Sequence, residues 1–533
     1  MKKPNFLVVL TDQQRFDTIA AAGYPWMQTP SLDRLVNEGC LFKNAYTPNP
    51  ICVPARYDML TGRAGRAHGH YDNADKLLDD SIPTFPGVLA ENGWRTAIIG
   101  KCHFNPPTAS HGYQEAHLME ELPVRVEDDA YLQHLRDKGH GDLQNIHGVR
   151  TLSYHEVQNA LVPEEDLGSN WLAERTSDWL DENSDEPFLL TLGWIKPHPP
   201  WNIPESKKGI YADADLPGPL PKSRDLPYPS EDSDLYGDFD TPEEKRKIRE
   251  AYFESVTMVD EAFGKVLAAL ERNGILDNTV IIYTADHGEM LQDKGFYQKT
   301  LPFDSCCRIP MIVRYPEKFK PGSVREEFAD LLDIFPTLLD LGGIENTPAL
   351  DGESLLNNES AKRKIQYSHT CTGRYRWIMT RDERYKYIYY FAGGHEYLYD
   401  MDNDPAEKDN LLGTPDCPQE VYEKLKAEAV RREQTIGPEG TVEDGRFVPD
   451  EAVAHPDFDW NNGEKYPRWC FGAFQQFGQQ PTAEQAKIFL DEFVKSREGE
   501  PPFHCPPEAK QMFLDAYQEL WGADPADLEK LLD

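Results

Sequence analysis

Positive charge is in short supply. The 533 residues carry 55 Lys and Arg against 92 Asp and Glu, a formal balance of −37. Phosphate backbones and anionic lipid surfaces demand a basic face, and no clustering of Lys or Arg provides one, so neither nucleic acid nor a membrane is expected as a partner. Long apolar stretches are missing too. The longest near the N-terminus, Phe6 to Leu10, is too short for a signal h-region or a membrane span. No later stretch reaches the roughly 18 apolar residues a span needs, so the encoded chain is expected to stay in the cytoplasm. The nine cysteines (40, 52, 102, 306, 307, 371, 417, 470, 505) form an odd set without Cys-x-x-Cys or Cys/His zinc spacing. Neither a disulfide framework nor a zinc site is indicated. Internal repeats and low-complexity tracts are also lacking.

What is present is ample core-forming material, with 39% hydrophobic and 11% aromatic residues. A prior of about 150 residues per domain gives three or four units, but large α/β domains exceed that length and fewer are expected. Four continuous apolar runs have the character of parallel strands buried on both faces. They are Asn5-Phe-Leu-Val-Val-Leu-Thr11, Thr96-Ala-Ile-Ile-Gly-Lys-Cys-His103, Pro187-Phe-Leu-Leu-Thr-Leu-Gly-Trp194 and Thr279-Val-Ile-Ile-Tyr-Thr284. Before the last, Tyr252 to Leu270 places Val256, Val259, Phe263, Val266, Leu267 and Leu270 on one helical face, and Asn273-Gly274 closes it. Alternating helices and strands predict an α/β fold, a large mainly parallel sheet with helices on both faces, whose ligands gather beyond the carboxyl ends of the strands.

After Pro310-Met-Ile-Val-Arg314 and a helix expected from about Ala329 to Leu341, the character changes. Tyr375–Thr380, Lys386–Tyr390 and Glu396–Tyr399 read as short strands of an antiparallel sheet in a smaller C-terminal α+β subdomain. The expected organisation is therefore a catalytic unit over residues 1–365, the antiparallel subdomain over 366–440, and an extension over 441–533. The extension contains helices expected at Thr482–Lys495 and Pro507–Trp521 and is a candidate for homo-oligomer contacts.

Cys52-Val-Pro-Ala-Arg56 with Leu60-Thr61-Gly62-Arg63 downstream resembles the formylglycine signature of the type I sulfatases, within the alkaline phosphatase superfamily. The resemblance covers most of the first 400 residues in order. Its other carriers are the opening strand with Asp12, Gly100-Lys-Cys-His103, Lys196-Pro-His198, Asp286-His-Gly288, Lys299, and Tyr397-Leu-Tyr-Asp400 with Asp404-Pro405 and Asn410-Leu411. Many members have a second Asp and an Asn where this chain has Gln13 and His287. The variants found here resemble the choline sulfatase and phosphonate monoester hydrolase branches.

Asp12 and Asp286 are hard oxygen donors at two strand ends. Either alone reads equally well as a helix N-cap, but two carboxylates brought together repel unless a divalent cation lies between them. With Gln13, His287 and Cys52 they form the expected metal set, and the imidazole tilts the choice from Ca²⁺ toward Mn²⁺. A thiol is a poor match for a hard cation. The resemblance implies instead that Cys52 is oxidised by a formylglycine-generating enzyme, so that a hydrated aldehyde offers an oxygen nucleophile and a second hydroxyl that later expels sulfate. Arg56 then bonds the diol. Lys101 and His103, two apart on an expected strand and hence on one face, hold a sulfate oxygen and the diol. His198 protonates the departing alcohol, Lys299 is a second sulfate contact, and Asn73 lines the pocket. The implied activity is hydrolysis of aryl, alkyl or carbohydrate sulfate monoesters, small molecules or oligosaccharides, through a covalent sulfo-enzyme intermediate. The alternatives are a phosphonate monoester hydrolase or phosphodiesterase of the same superfamily, or a non-catalytic anion binder if Cys52 stays unmodified.

Overall fold

The structure is a computed structural model. It describes residues 2–450 apart from 74–75, 124, 150–156, 222–240, 357–362 and 372–375, and beyond 450 only residues 488, 491, 492, 495, 496, 498 and 518. In chain order the strands are β1 (Asn5–Asp12), β2 (Cys40–Tyr46), β3 (Arg95–Gly100), β4 (Glu115–Leu118), β5 (Val157–Asn159), β6 (Phe188–Pro197), β7 (Trp201–Ile203), β8 (Thr279–Ala285), β9 (Met311–Arg314) and β10 (Ser323–Asp330). The helices are α1 (Pro30–Glu38), α2 (Cys52–Thr61), α3 (Phe85–Glu91), α4 (Ala130–Asp137), α5 (Gly168–Asn183), α6 (Pro242–Arg272), α7 (Asp304–Cys307), α8 (Ile334–Gly342) and α9 (Gln419–Ile436). None of them is long and apolar enough to cross a membrane.

Eight strands form one sheet in the order β10-β2-β9-β8-β1-β6-β3-β4. Only β9 runs against its neighbours, pairing antiparallel with both β2 and β8. The apolar runs occupy the middle because a central parallel strand must be apolar on both faces. Along β1, Leu7 and Val9 join the core under α1, α5 and α6, whereas Phe6, Val8 and Leu10 join the core under α2, α3 and α8. The result is a three-layer helix–sheet–helix arrangement, as expected. One boundary is corrected: the helix expected from Ala329 begins at Ile334, because Ala329 and Asp330 pair with Ala45 and Tyr46 at the end of edge strand β10.

A second, antiparallel sheet follows in the order β11 (Gln366–Thr370), β12 (Trp377–Arg381), β13 (Tyr385–Tyr390), β14 (His395–Asp400). Its period-two pattern divides cleanly. Trp377, Met379, Ile388 and Tyr390 pack with Met290, Phe303, Cys306 and Cys307, while Ile378, Tyr387 and Tyr389 face Leu425 and Ala429 of α9. The seven described cysteines are all free thiols. Most of the two helices expected in the extension lies outside the described residues. Residues 488, 491, 492, 495 and 496 are helical. The buried Glu492 carboxylate accepts the N–H groups of Gln144 and Asn145 at 2.9 and 3.0 Å.

Candidate active site

The pairing of β1 with β8 puts Thr11 opposite Ala285, so the chain leaves both strands at one level and delivers Asp12 and Asp286 side by side. On the other flank β6 and β3 pair in register as far as Gly193 and Gly100. That approach is close enough to require glycine twice. A Cβ on Gly100 would stand 2.2 Å from the Gly193 carbonyl oxygen, and one on Gly193 would stand 2.1 Å from the carbonyl oxygen of Lys101. The Lys101 N–H donates to Gly193 O at 2.8 Å, and the side chain turns inward.

Cys52 is the first residue of α2, where the unpaired N–H groups and the helix dipole favour negative charge. Asn73 Oδ1 accepts the Val53 N–H at 3.0 Å and so closes this helix end from outside. Arg56 lies one turn further on and shares the Cys52 face. Gly62, at φ 62, terminates the helix in a left-handed cap with its N–H on Asp58 O. The Cys-x-Pro-x-Arg and Leu-Thr-Gly-Arg segments are thus the start and the end of one buried helix.

These elements converge on a closed cluster. Cys52 Sγ lies 3.2 Å from His287 Nε2, 3.1 Å from Lys299 Nζ and 3.9 Å from Asp12 Oδ1. Arg56 bridges the two carboxylates, its Nη2 lying 3.1 Å from Asp12 Oδ2 and 3.0 Å from Asp286 Oδ2. Its Nη1 donates to Lys101 O at 2.9 Å. Lys101 Nζ donates to Asp12 Oδ2 at 2.5 Å and to Glu121 Oε2 at 2.6 Å. Asp12, Asp286 and His287 are wholly buried.

Charges packed this tightly reset one another. Burial pushes Asp12 up, but Lys101, His198, Arg56 and Lys299 overcome it and hold this carboxyl well below its ordinary range. Asp286 shifts upward, through burial and then through Asp12. Burial and Asp12 raise the Cys52 thiol, yet Lys299, Lys101 and His287 outweigh them and leave it well below its ordinary value. Burial lowers His287, but Asp286 and Cys52 together outweigh it and move the ring up.

The donor set suits a divalent cation. One oxygen or nitrogen of Asp12, Asp286 and His287, with Cys52 Sγ, all lie within 4.8 Å of one another. The Nδ1 of His287 is bonded to Gly288 O at 2.9 Å, which turns Nε2 toward Asp12 Oδ1 at 3.8 Å and Asp286 Oδ1 at 3.6 Å. A ring fixed through one nitrogen to a carbonyl is the usual posture of a metal-binding histidine. Gln13, expected in the same set, spans two other partners: its Oε1 accepts from Lys299 at 2.8 Å and its Nε2 donates to Glu289.

The remaining expected residues divide. His198 follows β6, buried, with Nδ1 on Pro199 O at 2.6 Å and 3.5 Å from Glu121 Oε1. Its burial lowers it to about 3, against an upward pull from Glu121. His103 departs from expectation. β3 ends at Gly100 and His103 adopts φ 55, so the strand alternation that would align it with Lys101 is broken. Its N–H donates to Glu120 at 3.0 Å, and its buried Nδ1 has no hydrogen-bond partner among the described residues. Glu120, Glu121 and Glu289 were not anticipated. Glu120 and Glu121 are an adjacent pair without a motif to mark them, and Glu289 directly follows Asp286-His287-Gly288.

Comparison with known proteins gives the family and the fold. The sulfatase family model matches residues 4–344, and that of the N-sulphoglucosamine sulphohydrolase C-terminal region matches 292–435. The chain is 29% identical to an arylsulfatase of Clostridium perfringens over 448 residues, covering 79% of this chain and 92% of the relative. It is also 29% identical to a choline-sulfatase of Rhizobium meliloti over 435 residues, covering 78% and 84%. The phosphonate monoester hydrolase of Agrobacterium radiobacter shares the fold at a TM-score of 0.71 and 24% identity, over 81% of this chain and 96% of that one. The chain therefore belongs to the sulfatase family of the alkaline phosphatase superfamily. It is a sulfuric ester hydrolase.

Proposed function

We propose that the cluster around Cys52 is a formylglycine-dependent centre for hydrolysis of sulfate monoesters, acting on small molecules or oligosaccharides. One observation carries this reading. The Cys52 side chain opens a helix and faces Lys299, His287 and Asp12 within 3.9 Å, which is the setting of a reacting atom and not of a packing thiol. Oxidised to formylglycine and hydrated, this residue supplies one hydroxyl that takes the sulfuryl group and a second whose deprotonation releases sulfate. Asp12, Asp286 and His287, with Gln13 beside them, would hold a Mn²⁺ or Ca²⁺ ion, which supplies positive charge to lower the proton affinity of that hydroxyl and to polarise the sulfate.

The chain's own residues do the rest. Arg56 spans Asp12 and Asp286 and fixes both carboxylates relative to residue 52. Lys101 and Lys299 bring ammonium groups to the negative charge spread over the sulfuryl oxygens. The neutral His198 ring carries its proton on Nδ1, because the Pro199 carbonyl can only accept. The negative charge of a bound sulfate ester favours uptake of a second proton from solvent at Nε2; that proton passes to the departing oxygen and returns the ring to neutral, so His198 is the general acid for poor leaving groups. The overall −37 charge opposes an anionic substrate weakly, since exposed charges are screened beyond about 8 Å at physiological salt. Support for the sulfate class comes from the named arylsulfatase and choline-sulfatase relatives. We assign catalysis to residues 1–365 and a supporting role to 366–440.

Mass spectrometry of the peptide containing Cys52, from enzyme co-produced with a formylglycine-generating enzyme, tests this directly. A mass lighter than cysteine, in step with sulfate ester turnover, is expected. Full turnover by a preparation in which Cys52 is entirely thiol would overturn the mechanism.

A further inference from the structure

The loop after β4 brings two carboxylates to the site that no motif marks. Glu120 secures the turn that carries Lys101, accepting the Cys102 N–H at 2.7 Å. Its own backbone is held on both sides: the N–H donates to Asp129 Oδ2 at 2.7 Å, and the carbonyl oxygen lies 3.1 Å from His147 Nε2. Glu121 is thereby delivered with little freedom, 8% exposed, and turns both oxygens to the site. Oε2 accepts from Lys101 at 2.6 Å, while Oε1 lies 3.5 Å from His198 Nδ1. A buried carboxylate beside a pocket for an anion repels the substrate. Its presence needs a compensating role.

We propose that Glu121 is a positioning residue of the sulfatase reaction, fixing the Lys101 ammonium with one oxygen and the ring of His198 with the other. The proposal rests on the reading of His198 as leaving-group acid. An ammonium has three N–H donors on a flexible stem. Asp12 and Glu121 take two of them, which sets the direction of the third for a sulfate oxygen. The Pro199 carbonyl takes the Nδ1 proton at 2.6 Å, and the Glu121 carboxylate, 3.5 Å away, holds the same edge of the ring by charge and leaves Nε2 for the reacting atoms. When a second proton occupies Nε2, the same carboxylate faces the imidazolium until that proton passes to the departing oxygen. One side chain thus ties the group that holds the sulfuryl oxygens to the group that serves the departing alcohol.

Glu121→Gln preserves shape but not this dual acceptance. With the amide oxygen on Lys101, its NH₂ confronts Nδ1–H, donor against donor. Lys101 should stay in place while His198 loses its orientation. The measurement is kcat/KM across sulfate esters of graded leaving-group pKa, for wild type, Glu121→Gln, Glu121→Asp, His198→Ala and the double variant Glu121→Gln/His198→Ala. Glu121→Gln should lose about 100-fold on alkyl sulfates and less than about 10-fold on nitrophenyl sulfate. In the His198→Ala background it should add no further leaving-group dependence. Equal losses for all esters in Glu121→Gln, with His198→Ala still selective, would overturn the proposal alone. A His198→Ala variant without selectivity would remove the reading of the acid and this proposal with it. If the Gln variant fails to fold, Glu121→Asp decides: its shorter carboxylate cannot span both partners, so the steeper leaving-group dependence must persist, and wild-type behaviour there counts against the idea.

Discussion

Two of the buried charge clusters among the described residues invite comparison, one a structural joint and the other the proposed reaction centre. Between the antiparallel sheet and α7, Lys386 Nζ donates to Asp304 Oδ1 at 2.9 Å and to Glu407 Oε1 at 2.7 Å. Arg381 donates to Asp304 Oδ2 at 2.9 Å, and Glu407 Oε2 accepts the Asp304 N–H at 3.0 Å. Every carboxylate oxygen there meets a donor, and the acid and base are matched, so the group is a finished joint between the two sheets. The cluster at the strand ends is composed differently. It holds two adjacent carboxylates, a thiol and an imidazole beside two lysines and one arginine, and opposing pressures raise Asp286 while lowering Asp12 and Cys52. Burial of charge does not mark function. Opposed shifts do not mark it either, since the joint lowers Asp304 and raises Glu407; what sets the strand-end cluster apart is its composition, a thiol and an imidazole against two adjacent carboxylates.

Substitutions should separate the two clusters cleanly. The largest effect is expected from Cys52→Ala, which should cost on the order of 10⁵-fold or more in kcat and leave the thermal midpoint unchanged or higher. Turnover close to wild type would erase the distinction. Chelation followed by dialysis should abolish most activity, Mn²⁺ or Ca²⁺ should restore it, and metal at 100 times its Kd should stabilise the fold by about 2.7 kcal/mol. Full activity in a preparation shown metal-free by elemental analysis contradicts the assignment of Asp12, Asp286 and His287. His198→Ala should raise the barrier for alkyl sulfates by about 3–5 kcal/mol and much less for nitrophenyl sulfate, read from kcat/KM at a series of leaving groups. Lys386→Met reverses the pattern. It strands Asp304 and Glu407, should destabilise the fold by about 3–5 kcal/mol in urea titrations, and should change the folded enzyme's kcat by less than about 10-fold. Smallest is Asn73→Ala, which removes the acceptor from the Cys52 helix and should cost about 1 kcal/mol in the same titration.

The sequence makes the centre of the sheet legible because a strand covered on both faces has no choice but to be apolar from end to end. β1, β6 and β8 announce themselves in that way, and Asp12, His198, Asp286 and His287 follow directly from where those runs stop. Edge strands give no such signal. Ser323–Asp330 holds only three apolar residues, Val324, Phe328 and Ala329, in no regular alternation, so its last two residues resemble the start of the helix that follows. His103 illustrates a different limit. An inference from strand alternation holds only while the strand lasts, and Gly100, at φ 102, ends it three residues too early. Glu121 reaches the site on the loop after β4 with no motif around it, whereas Glu289 directly follows Asp286-His287-Gly288 and could be read from its place beside that motif. Cys52 and Arg56 are the opposite case, since both lie on one turn of one helix and their spacing is their geometry.

The paired glycines under Lys101 set a tolerance for the whole catalytic floor. Gly100 and Gly193 let two backbones pass with no side chain between them, and the next carbonyl, Lys101 O, is the one that receives Arg56. A single added methyl group on either strand would wedge them apart at the point where both begin to curve. The displacement would fall on Lys101, which bonds Asp12, and on the carbonyl that holds Arg56 and through it Asp286. Two atoms that the chain omits therefore act as the datum from which the charged groups are measured. A library that randomises this centre while keeping both glycines explores its chemistry, whereas one that varies the glycines moves the reference plane itself.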